Sequence, residues 1–267
     1  MPDTHRLTPG KAIRLADFTT RGKELHDDRA AAEAEFTELR HEFIDTQNRL
    51  YAERKRKLLI VLQAMDAGGK DSTIRKVFRG VNPQGVRVTS FKAPTDEELG
   101  HDYLWRAHKA VPAAGMIGVF NRSHYEDVLV VRVDDIVPQE IWSQRYEQIN
   151  RFEELLHDTG TTILKFYLHI SKKEQKERFQ DRIDVAEKHW KFSQQDLIKR
   201  QQWDAYMEAF EDLLNRCTTE WAPWYVIPAD QKWYRNLAIS RVIVDTLRKM
   251  NPQYPPPEVD VSDIVID

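Results

Sequence analysis

Five short apolar runs punctuate the chain, and the segments between them carry apolar residues at helical spacing. Leu58–Leu62 (LLIVL), Val86–Phe91 (VRVTSF), Met116–Phe120 (MIGVF), Thr161–His169 (TTILKFYLH) and Trp224–Ile227 (WYVI) predict strands. A run that is apolar at every position, as in Leu58–Leu62, suits a parallel strand covered on both faces. Residues 1–24 mix Pro, Gly and charge and are expected to wrap the surface as an arm. From about Glu24 to Arg56, Phe36, Leu39, Phe43 and Leu50 recur on one helical face, which fits packing on the domain better than contact between copies. The first strand leads into a helix running to about Gly80, then the turn Asn82-Pro83-Gln84-Gly85. Thr95 and Glu98 make a capping box for a helix through Leu99, Tyr103, Leu104 and His108 toward Pro112. Val128–Val133 fits strand and helix equally. Pro138 opens an amphipathic helix through Ile141, Trp142, Tyr146, Ile149, Phe152, Leu155 and Leu156, closed near Gly160. Ser171 caps a Lys-, Arg- and Glu-rich helix, Asp196–Cys217 holds another, and Lys232–Met250 is the last before the proline-rich Pro252–Pro257.

Apolar strands alternating with helices imply a parallel sheet with right-handed crossovers and helices on both faces. Ligands of such sheets sit beyond the carboxyl ends of the strands. The expected organisation is a single domain: arm and long helix over 1–57, α/β core over 58–250, and a tail over 251–267.

The 267 residues are 41% hydrophobic and 31% charged with a net charge of −3, so no global basic excess points to nucleic acid and any basic site must be local. Cys217 is the one cysteine, which excludes an intrachain disulfide and a cysteine-rich zinc site and suits a reducing, cytoplasmic setting. The N-terminal stretch lacks an apolar signal core, and no run reaches membrane-spanning length.

The chemistry gathers at strand ends. Leu58–Ile74 reads as a buried strand, a glycine turn and a helix start: Ala67, Gly68 and Gly69 bring backbone N–H groups toward an anion, and Lys70 stands where the helix dipole favours phosphate. The strict G-x-x-x-x-G-K-[ST] pattern would put Gly at Ala64 and Ser or Thr at Asp71. Asp66 beside phosphates implies a bridging Mg²⁺, or else an Asx turn. Asp71 and Ser72 fit as helix caps, with Ser72 or Thr73 within reach of a metal. After the third strand, Asn121 is a weak ligand or a water holder. Arg122 offers a fork of donors for a phosphate in flight, the alternative being a surface ion pair. Glu126 and Asp127 fit metal or base contacts, or ion pairs with an arginine, and Lys92 points toward the same crevice. Arg178 and Arg182, one helical turn apart, belong to a basic stretch with Lys188 and Lys191. It is either a lid closing over phosphates or a solvated helix face.

These segments together resemble the polyphosphate kinase 2 family: LLIVLQAMDAGGKDSTIRKVF, the NPQGV turn, SFKAPTDEEL with HDYLWR, VFNRSHYEDVLVVRV, KFYLHISKKEQKERFQDRI, KHWKF, APWYVIPADQKWYRN and NPQYP. The resemblance spans nearly the whole chain. It implies an α/β, three-layer P-loop kinase fold with a five-stranded parallel sheet and a helical lid at about 178–195. It also implies Mg²⁺-dependent (or Mn²⁺-dependent) transfer of terminal phosphate from inorganic polyphosphate to adenine or guanine nucleotides, and a homo-oligomer, dimer or tetramer. By the same resemblance Asp66 and Lys70 serve metal and phosphates, Arg122 follows the second phosphate-site strand, and Arg182 is a lid arginine. Many relatives carry Asp-Arg where this chain has Asn121-Arg122, and NRSHYEDVLV is similar to the subgroup that accepts both AMP and ADP. Two other readings stay open: an ATP-dependent nucleotide kinase of thymidylate-kinase type, and a non-catalytic phosphate- or RNA-binding module.

Overall fold

The computed structural model describes residues 2–260 and 266. Met1, at the head of the expected arm, and 261–265 and 267, in the expected tail, lie outside the described residues. Strands β1 (Lys57–Gln63), β2 (Val86–Ser90), β3 (Ile117–Asn121), β4 (Thr161–His169) and β5 (Trp224–Pro228) form one parallel sheet in the order β2-β3-β1-β4-β5. The helices are α1 (Arg29–Glu53), α2 (Lys70–Val77), the one-turn α3 (Asp96–Leu99), α4 (Trp105–His108) and α5 (Val130–Val133), then α6 (Gln139–Asp158), α7 (Lys172–Asp184), α8 (Gln194–Gln201), α9 (Trp203–Arg216) and α10 (Lys232–Met250).

Strand β1 takes the centre because it is the most apolar run, and six of its seven residues are buried between β3 and β4. Edge strand β2 is mostly exposed, which fits the polar letters in VRVTS. On one face α1 packs along α10, joined by two-pronged ion pairs: Arg241 to Glu35 at 2.6 and 2.5 Å, and Arg248 to Glu42 at 2.6 Å on both prongs. The N-terminal segment lies against the β5 edge, where the Leu7 N–H donates to the Trp224 carbonyl at 2.8 Å and Leu7 and Leu15 are buried.

Several elements differ from the sequence expectation. The long helix starts at Arg29 rather than near Glu24, because Asp28 caps it by accepting from the Ala31 N–H. Helix α2 stops at Val77, short of Gly80, whose φ of +88° belongs to the following turn. The helix expected through Leu99 and His108 is two single turns, α3 and α4. Gly100 ends the first, and the Asp102 side chain accepts from the Leu104 N–H just before the second. The ambiguous Val128–Val133 is a 3₁₀ turn followed by α5. The segment after Asp196 divides at Gln202 into α8 and α9. In α6, Ile141 and Leu155 face outward at about half exposure while Tyr146, Ile149, Phe152 and Leu156 are buried.

Beneath the site a polar network is buried under the sheet. Lys165 of β4 donates to Glu153 of α6 (2.5 Å), to the Tyr125 hydroxyl (2.8 Å) and to the Cys217 carbonyl (2.7 Å). Tyr125 in turn donates to Glu153 at 2.8 Å, and His124 Nε2 lies 3.2 Å from the same carboxylate. Both Lys165 and Glu153 are fully buried. The network anchors the segment that carries Arg122 and Glu126.

Candidate active site

The loop between β1 and α2 turns through two left-handed residues, Ala67 (φ +61°) and Gly69 (φ +104°). Ala67 is held there against its preference, and such strain clusters where a backbone is committed to a task. The Gly69 carbonyl accepts from the Ser72 hydroxyl (2.9 Å) and the Thr73 hydroxyl (3.0 Å). Gly69 itself is the helix N-cap. Asp71 therefore lies inside the first turn and is not the cap expected for it; it accepts from Asn121 Nδ2 at 2.7 Å. Lys70 folds back over the loop, donating to the Ala64 carbonyl at 2.8 Å. Burial and the nearby Arg122 guanidinium lower its pKa to about 8.

Beyond the sheet edge lies a cavity of about 570 Å³ in which nine basic side chains meet three carboxylates, counted among the described residues. The phosphate loop from Asp66 to Ser72 forms its floor, with Lys92, Asn121 and Arg122 from the neighbouring strand ends. Arg178, Arg182, Lys188 and Lys191 supply the far wall from α7 and the 3₁₀ turn Ala186–Lys191. Arg75 and Lys232 also line it, and neither was singled out from the sequence.

Arg122 sits at the mouth of the loop, itself left-handed at φ +59°, and donates to Asp66 at 2.6 Å. Its other terminal nitrogen lies 3.5 Å from Glu126, which also accepts from Gln63. Burial would raise the Asp66 pKa, but Lys70, Arg122, Lys199 and Arg182 outweigh it and hold the carboxyl below its usual value. Lys199 of α8, 4.0 Å from Asp66, is another cation the sequence did not single out. Asp127 turns away from this group: Arg145 holds it at 2.9 Å and Arg106 lies 4.0 Å away. The two carboxylates are thus each engaged by arginine.

The basic stretch is not a uniform solvated face. Arg178 is tied to the loop, donating to the Ala67 carbonyl (2.9 Å) and the Ala229 carbonyl (2.5 Å). Arg182 donates to Asp196 at 2.7 Å and to the Lys191 carbonyl at 3.1 Å, so it is held by the segment that follows it. Lys188 pairs with Asp181 at 2.5 Å.

Among the described residues no group of three or more His, Cys, Asp or Glu side chains gathers as a metal cage. Mg²⁺ needs no such cage, because it keeps several waters and takes one or two carboxylates together with substrate phosphates. Asp66 and Asp71 are the loop carboxylates that line the cavity and could contribute.

The family model for polyphosphate kinase 2 matches residues 26–255. An AMP/ADP-polyphosphate phosphotransferase of Meiothermus ruber is 58% identical over 221 residues, 83% of each chain. An ADP-polyphosphate phosphotransferase of Rhodopseudomonas palustris is 48% identical over 79% of this chain and 77% of its own. The crystal structure of polyphosphate kinase 2 from Arthrobacter aurescens superposes with a TM-score of 0.93 at 41% identity, covering 98% of this chain and 94% of that one.

Proposed function

The chain belongs to the polyphosphate kinase 2 family, and on that premise we propose that it transfers the terminal phosphate of inorganic polyphosphate to AMP and to ADP. The observation that carries the reading is the cavity itself. Nine cations against three carboxylates, over a phosphate loop, suit a polyanion longer than a nucleoside triphosphate.

The acceptor's phosphate oxygen attacks the terminal phosphorus of the polymer, that P–O–P bond breaks, and the shortened polymer leaves with the bridging oxygen. A phosphate oxygen is already a competent nucleophile, so the chain need supply no strong base. Its work is positioning and charge neutralisation. The loop N–H groups and Lys70 hold donor phosphates, Arg122 swings from Asp66 to the transferring group, and Arg182 brings charge from the lid, residues 178–195. Arg75, Lys92, Lys188, Lys191 and Lys232 carry the rest of the polymer. Mg²⁺, held by Asp66, would neutralise phosphate charge when bound. The buried network around Lys165 keeps the Arg122 segment in place while Arg122 changes partners.

The test is to incubate the protein with AMP, Mg²⁺ and polyphosphate in the absence of ATP, and to follow ADP and ATP. Both should appear. Phosphorylation of AMP by ATP with none from polyphosphate would overturn the reading in favour of an ordinary nucleotide kinase.

A further inference from the structure

Behind the phosphate loop lies a charge that the transfer chemistry above does not use. Arg235, in the first turn of α10, is 1% exposed. Its Nε and one terminal nitrogen donate to Asn236 Oδ1 at 3.2 and 2.9 Å, and the same terminal nitrogen donates to the Ser72 hydroxyl at 3.1 Å. The other terminal nitrogen, Nη1, is buried without a hydrogen-bond partner. That nitrogen occupies the space a side chain on Gly69 would need. The partners that hold Arg235 are neutral, and the charged group that acts on it is a like charge, Arg178. Burial and Arg178 together lower its pKa to about 9.

A buried cation without a counterion is costly and persists only when something offsets it. The anion that would offset it belongs on the other side of the loop. Arg235 donates to Ser72, and Ser72 donates to the Gly69 carbonyl, so one relay of hydrogen bonds fixes the turn that lines the cavity. We propose that Arg235 is a positioning residue whose uncompensated charge is balanced by phosphate bound in the loop, so that polyanion binding and fold stability are coupled through it. The empty protein then carries a stored penalty that polyphosphate relieves. The inference rests on the loop being the phosphate site.

The experiment compares wild type, R235M and R235K by thermal unfolding with and without inorganic tripolyphosphate, and by steady-state kinetics with polyphosphate and ADP. Replacing a buried charge by an apolar side chain of similar length is often neutral or stabilising, so R235M without ligand should melt at or above the wild-type temperature. Its tripolyphosphate-induced rise in melting temperature should fall to half or less, and KM for polyphosphate should rise about tenfold with kcat changed less than about threefold. R235K, which keeps the charge but not the fork, should recover most of the ligand-induced rise. Should R235M not fold, R235Q removes the charge while keeping an amide that can reach Ser72, and the same comparison applies. A variant that melts lower when empty yet keeps the wild-type ligand-induced rise and KM would reduce Arg235 to a structural residue and overturn the proposal. The melting comparison needs no turnover, so a wild type that binds tripolyphosphate but makes no ATP would refute the activity and leave this inference to be judged on its own readout.

Discussion

Replacing Lys70 by Met separates the chemistry of the phosphate loop from its folding. Lys70 is 8% exposed, and its ammonium donates to the backbone carbonyl of Ala64 at 2.8 Å. Losing a charge-assisted bond of about 1.5–3 kcal/mol is offset by relief from burying the ammonium, which is why its pKa falls to about 8. The net change in stability should stay within about 1 kcal/mol, or roughly 2–4 °C in melting temperature for a chain of this size. The kinetic loss should be far larger: removing one preorganised donor to developing charge typically costs about 10²–10³ in kcat, or about 2.7–4 kcal/mol. In the wild type, Lys70 is charged below about pH 8 and neutral above it, so kcat/KM for polyphosphate should decline above that pH. Bound phosphate favours the charged form, so kcat should decline only at higher pH. Stability runs the other way: between about 8 and the ordinary lysine value of 10.5 the unfolded chain binds more protons, and this group's contribution to stability rises with pH. The assay is polyphosphate-dependent ATP formation across pH, alongside thermal melts. A Lys70→Met protein within about tenfold of wild-type kcat/KM, or a wild-type profile flat well past pH 8, would refute the reasoning.

Other outcomes follow from the same geometry. Lys165→Met leaves the fully buried Glu153 without its cation and should cost about 3–5 kcal/mol, measured by denaturant unfolding, whereas a Lys165→Met/Glu153→Leu double variant should recover much of that loss. In the wild type, burial would raise the Glu153 pKa, but Lys165 and His124 outweigh it and hold it low. Its stabilisation is therefore present above the unfolded carboxylate range and lost as pH falls through the folded pKa. In Lys165→Met the Glu153 pKa is instead raised, so the gap to wild type should narrow in acid; a gap that is constant with pH would count against the ion pair as its source. Gly69→Ala should abolish polyphosphate turnover, because a Cβ at φ +104° collides with the Arg235 guanidinium; unchanged activity there would show that the loop is not held as described. Arg182→Ala frees Asp196 and removes one of the four cations that the basic stretch brings to the cavity. Transfer should drop by about 10²-fold or more in single-turnover assays, while stability shifts by less than about 1 kcal/mol.

The sheet was legible because burial on both faces writes itself as unbroken apolar letters: LLIVL at the centre is buried throughout, and the more polar VRVTS is the edge. Helix ends were less so, since they depend on single residues such as Gly100 and Gln202 whose turning cannot be told from tolerated interior positions. The loop and the strand-end residues stood out through sequence clustering. Arg75, Lys199, Lys232 and Arg235 did not, because each lies within a helix whose cations look ordinary in sequence; Arg75 lines the cavity from α2 itself, and the other three are brought in by tertiary packing. The pairing of Arg122 with Asp66 was likewise invisible, being a contact across 56 positions.

The clasp of α1 on α10 joins residues 206 positions apart, and α10 brings Lys232 and Arg235 to the loop. During synthesis at about 5–20 residues per second, α1 therefore waits roughly 10–40 s for its partner. Over that interval α1 has only its earlier partners, such as Phe78 against Phe43, and the face that α10 finally covers stays open. The same delay means that the loop acquires its backing only once residues 232–250 have emerged. A ribosome-bound fragment can thus form the central strands without presenting a finished site to the cell's polyanions.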